Sequence, residues 1–136
     1  MELASLKINP AAIEAGRWVK DIPDMGDLEL LVRGLNNADY RKLQRQLLQA
    51  VPRGQRSALT PAQADEITGT LLLETCLLDW KNLTESKDSP PLPYSKALAS
   101  DLLLKPEFGR FREAVAYAAA TVGDEQADEQ EADVKN

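Results

Sequence analysis

Apolar and polar residues alternate in one way near the start of the chain and in another beyond it. Leu28, Leu30 and Val32 alternate with Glu29 and Arg33, the period-2 pattern of a half-buried strand. Arg17 to Ile22 reads as a second short strand, and the Pro23-Asp24-Met25-Gly26-Asp27 stretch between them suits a hairpin loop. A lone hairpin is marginal in water, so this one must pack on helices. Ahead of it, Pro10 to Gly16 has room for one or two helical turns stopped by Gly16.

From Asn37 onward the period changes to that of a helix. Asn36-Asn37 offers an N-cap, and Tyr40, Leu43, Leu47, Ala50 and Val51 fall on one face while Arg41, Lys42 and Arg45 fall opposite. Pro52-Arg53-Gly54 breaks that pattern, and Thr60-Pro61 starts the next, a capping hydroxyl followed by proline in the first helical position. From Leu71 the apolar residues Leu72, Leu73, Leu77, Leu78 and Trp80 run right round the axis, which predicts a buried central helix to Lys81. Glu74 lies close to the stripe of Ile67, Leu71 and Leu78, so it needs a partner, or else that stripe is exposed in the monomer and used in assembly. Asn82 to Pro93 is a polar loop stiffened by Pro90, Pro91 and Pro93. Ser95 caps a short helix, Pro106 begins the last, and Phe108, Phe111, Val115, Ala118, Ala119 and Val122 share an arc of roughly 100° there.

These elements predict a mainly α fold. Residues 1–122 form one compact domain of about four helices (38–51, 61–81, 95–104 and 106–122) carrying a small β-hairpin over 16–35. Residues 123–136 are a separate matter. They hold Asp124, Glu125, Asp128, Glu129, Glu131 and Asp133 against Lys135, so most of the chain's net charge of −6 belongs to this segment. With so little apolar surface it is expected to be a disordered acidic tail. The rest of the chain is close to neutral.

Composition narrows the function. No histidine occurs, which removes the usual general base near neutral pH and the commonest metal ligand. A single cysteine, Cys76, rules out ordinary zinc sites and an internal disulfide, and suits a reducing cytoplasm. The seven glycines form no phosphate-cradling loop. No catalytic, cofactor or metal site is therefore expected, and the chain reads as a binding protein, not an enzyme. Neither a run of about 18 apolar residues nor a secretory leader is visible, so no membrane role is expected.

Two features remain for binding. The first is the basic stretch Arg41, Lys42, Arg45, Arg53 and Arg56, with no acid between Tyr40 and Ala64. It reads as a solvated helix face, as a docking surface for an acidic partner including the chain's own tail, or as a nucleic-acid surface. Against the last, Pro52 to Thr60 is too long for the turn of a helix-turn-helix. The second is an apolar set, Ile67, Leu71, Leu78, Phe108, Phe111 and Val115, which is either core or an assembly face.

The order of several segments also resembles a known family. Gly16-Arg17-Trp18-Val19, then Leu28-Glu29-Leu30-Leu31-Val32-Arg33-Gly34-Leu35 and Asn37-Ala38-Asp39-Tyr40-Arg41, is similar to the start of tail assembly chaperones of long-tailed, siphovirus-like (lambda-type) bacteriophages. Leu77-Leu78-Asp79-Trp80-Lys81-Asn82-Leu83-Thr84, Leu92-Pro93-Tyr94-Ser95 and Leu102-Leu103-Leu104-Lys105-Pro106-Glu107-Phe108 with Phe111 continue the series. The turn Glu85-Ser86-Lys87-Asp88 departs from the Asp-Gly usual there. The resemblance implies a protein of the host bacterial cytoplasm that coats and solubilises the tape-measure protein, helps tail-tube subunits polymerise, self-associates, and is absent from the mature virion. It also implies that a frameshifted longer form accompanies the chain in many phages. Two other roles stay open: a structural or joining protein retained in the particle, and a small DNA-binding regulator.

Overall fold

The computed structural model describes residues 1–124, in the order α1 (Pro10–Ala15), β1 (Arg17–Val19), β2 (Glu29–Val32), α2 (Ala38–Ala50), α3 (Pro61–Thr75), β3 (Leu77–Lys81), α4 (Lys96–Leu104) and α5 (Gly109–Thr121). Short 3₁₀ turns precede α1, follow α2 and introduce α5. The helix starts are set by local chemistry. Asn9, Asn37, Thr60 and Ser95 each accept a hydrogen bond from a first-turn amide, and Thr60 with Gln63 completes a reciprocal capping box.

The expected mainly α domain of four helices is corrected on two counts. Among the described residues there are five helices, and the hairpin is part of a three-stranded antiparallel sheet in the order β1-β2-β3. The third strand comes from the segment read as the end of the long helix 61–81. That helix stops at Thr75, and Leu77–Lys81 pairs with β2. A continuous apolar run does not distinguish a buried helix from a buried strand, so the decision falls to tertiary partners. Here β2 and the corner after it take up the groups that end α3. The Asn37 amide donates to Thr75 O at 2.9 Å, and Arg33 N–H donates to Cys76 O at 2.9 Å. The chain then turns and satisfies the second edge of β2, which a two-stranded hairpin would leave open.

Register follows the pleat. Leu30 pairs with Trp80, Leu31 with Asp79 and Val32 with Leu77, so Leu78 is the extra residue of a β-bulge. Leu30, Val32, Leu77 and Trp80 point to the helical side and are buried. Trp18, half-buried on the opposite side, lies beneath the Lys81 ammonium, 4.2 Å from the ring centroid.

The core lies between the sheet and α3, α4 and α5. Leu72, Leu103, Val115 and Cys76 are fully enclosed with Leu30 and Val32. Trp80 sits edge-on to Tyr94 and Phe111, and its indole N–H donates to Leu92 O at 2.8 Å. Helices α3 and α4 approach closely at Gly69, where an added Cβ would lie 2.4 Å from Leu103 O. The expectation of a disordered tail falls mostly on residues 125–136, outside the described residues; Gly123 and Asp124 are placed against the N-terminal segment.

Candidate functional site

A polar corner between β2 and α2 sets the direction of α2. Asn37 is fully buried there. Its side-chain oxygen caps the Tyr40 amide at 2.8 Å, and its NH₂ group donates to Gly34 O and Thr75 O. Outside it, Arg33 bridges Glu14 of α1 and Asp39 of α2 at 3.2 and 2.7 Å. Glu14 also accepts from the Ala38 amide, placing a carboxylate at the positive end of α2. Arg33 and the Asp39-Tyr40 pair, both part of the family-like series, thus help to join the strand β2 to the start of α2.

Beyond this corner α2 leaves the core. It is the most strongly amphipathic of the long helices, yet none of its residues is fully buried. Tyr40 touches the core cluster, whereas Leu43, Leu47 and Leu48 are half-covered and lie outside it. Its helical neighbour is α3, where Ala64 and Ile67 are also half-covered. Two neighbouring helices therefore each carry apolar residues that are only half-covered.

The basic residues divide into two roles. Arg56 donates to Val51 O and Gln49 O at 2.9 and 3.1 Å, so it caps the negative end of α2. Arg41, Lys42, Arg45 and Arg53 are exposed, and none has a carboxylate partner among the described residues. Arg41 lines a cleft of about 520 Å³ with Lys7, Ile13, Glu14 and Asp124.

The candidate apolar set does not form one face. Leu71, Phe111 and Val115 are buried core residues, and Ile67 lies half-covered on α3. Leu78 is on the sheet bulge, not on the helix that carries Ile67 and Leu71, and is 41% exposed. Phe108, 39% exposed, sits in the turn before α5. Glu74 lies at the surface and takes Lys96 as its partner at 2.7 Å. That hydrogen bond and charge raise the Lys96 pKa.

Sequence reasoning missed the long-range bonds of Asn37 and the close approach at Gly69. The second left a signal: a glycine inside a helix costs stability unless packing needs it. The first left none, because a capping asparagine reads the same whether or not its NH₂ group is used.

Titratable chemistry is sparse. Burial pushes the Cys76 thiol pKa up, against the hydrogen bond with Thr75 and the charge of Arg33. Burial and then Cys76 raise the Tyr40 pKa. Among the described residues no group of three His, Cys, Asp or Glu is placed to hold a metal ion, and no helix is long and apolar enough to cross a membrane.

Fold and surface thus define a helix-rich protein with a three-stranded sheet and one partly covered helix, and family comparison gives it a phage origin. The model of the YdaY prophage protein family matches residues 35–136, and the chain belongs to that family. The match begins at the β2–α2 corner and takes in α2 to α5, with β1 and β2 outside it. Neither the curated proteins nor the solved structures give a match.

Proposed function

We propose that this prophage protein is a tail assembly chaperone, working in the host cytoplasm to keep the apolar helices of a tape-measure protein soluble while tail-tube subunits polymerise around it. The observation that carries the reading is α2: the helix with the clearest apolar stripe buries no residue fully. Leu43, Leu47 and Leu48 on α2 and Ile67 on the neighbouring α3 are only half-covered, and an amphipathic helix of a partner would find its apolar contacts in such a seam. The collinear series from Gly16 to Phe111 supports the choice of partner, and the same seam is available for self-association.

Co-expression with the tape-measure protein of the same prophage tests this. A chaperone should give a several-fold gain in soluble tape-measure protein; no gain removes the proposal. Mass spectrometry of purified particles separates it from a retained joining protein, because a chaperone is expected to be absent from the finished tail.

A further inference from the structure

We propose, resting on the reading of α2 as the receiving helix, that its partner is an amphipathic helix with acidic flanks. Asp or Glu residues beside the partner's apolar stripe face Arg41 and Arg45. On α2 the half-covered residues Tyr40, Gln44, Leu47 and Leu48 share one side, with Leu43 next to them. Arg45 precedes Leu48 by three positions and Arg41 precedes it by seven, so both arginines border the stripe along its Leu48 edge. The Leu43 edge carries Gln46 and Ala50 and no cation, and Lys42 falls on the far side of the helix. The rim is therefore basic on one side only.

Nothing in the described residues neutralises that edge. Arg41 and Arg45 are exposed, and neither has a carboxylate partner among the described residues. The sequence from Tyr40 to Ala64 holds no acid. Acids on the adjoining elements are engaged elsewhere: Glu14 and Asp39 by Arg33 at 3.2 and 2.7 Å, and Asp65 of α3 by Arg112 at 3.4 Å. Glu66 of α3 lies about 100° round that helix from Ile67. Asp124 shares a cleft with Arg41, but Arg45, one turn further on, does not line that cleft. Charge at the rim of an apolar contact selects among partners more than it adds affinity. A helix with lysines beside its stripe is turned away here, and one with acids is admitted.

The test uses the full chain and three synthetic helical peptides of about 18 residues, sharing one leucine stripe flanked on both sides by Glu, Gln or Lys. Binding is read by fluorescence anisotropy of the labelled peptides. In about 20 mM salt, where screening is weak, the Glu peptide is expected to bind about tenfold tighter than the Lys peptide. The chain's net charge of −6 favours the opposite order at long range. The preference should fall below about threefold at about 0.5 M salt. Arg41→Gln with Arg45→Gln should abolish it and leave the Gln peptide bound as before, whereas Lys42→Gln should leave it in place. Equal binding of the Glu and Lys peptides, or a Glu preference that survives the double variant, overturns the acidic-flank inference and leaves α2 as the receiving helix. Failure of all three peptides to bind overturns both.

Discussion

The sheet with α3, α4 and α5, and the arm formed by α2, use apolar residues in opposite ways. In the first, side chains of modest size are closed off completely: Leu30, Val32, Leu72, Leu103 and Val115 retain less than 2% of their surface. In the second, a helix with a cleaner apolar stripe has no buried residue. Helix α3 shows both treatments, half-covered at Ala64 and Ile67 and buried from Leu71 to Leu73. Amphipathicity therefore does not measure burial here. Where polar anchors such as Asn37 and Arg33 hold a helix at one end, the rest can lie outside the core cluster with its apolar face only half-covered.

Substitutions should separate the regions. The largest effect is expected at Trp80, which fills the core between Tyr94 and Phe111 and uses its indole N–H. Trp80→Ala should cost about 3–5 kcal/mol in urea unfolding, and a loss below about 1 kcal/mol would place Trp80 outside the true core. Asn37→Ala comes next. It removes a helix cap and a bond to Thr75 O together, so about 2–3 kcal/mol is expected. A cost near that of an ordinary cap would mean that the link between the arm and α3 carries little.

In the arm itself, Leu47→Ala should cost about 1 kcal/mol or less, because half-covered leucine has less surface to re-expose. A core-sized loss would show that the seam is closed in solution, most simply by a second copy. The smallest effect concerns pH. Burial raises the Cys76 thiol pKa, so the unfolded chain releases that proton first. Its contribution to stability is full below the ordinary thiol value of about 8.5 and is lost as pH rises through the folded value. Tyr40 and Lys96 also have raised pKa values and add losses of the same sign at higher pH. Cys76→Ala should make the fall in melting temperature between about pH 7.5 and 9.5 shallower; an unchanged fall would assign it to the other groups.

Local signals were legible wherever one residue type decides the outcome. Thr60-Pro61, Ser95 and Pro10 mark helix starts, and the alternation at Leu28, Leu30 and Val32 marks a strand. The turn from α3 into β3 was not legible. Leu71 to Trp80 is apolar by either period, and what stops the helix, the Asn37 and Arg33 bonds at its end, comes from residues about 40 positions earlier. The same gap explains the scattered apolar set: Ile67, Leu71 and Leu78 share a face only if the helix continues. The basic side chains were easier to place, since exposure follows from their opposition to the apolar stripe. Arg56, used to close the helix end, is the exception.

The most direct test of the open α2 face is co-expression of the tape-measure protein with the native chain and with a Leu43→Ser, Leu47→Ser double variant. The variant is expected to retain its fold, by an unchanged far-UV spectrum and a melting temperature only a few degrees lower, yet to lose most of the solubilising effect. Equal solubilisation by a folded variant would contradict the claim that the open face of α2 receives the partner.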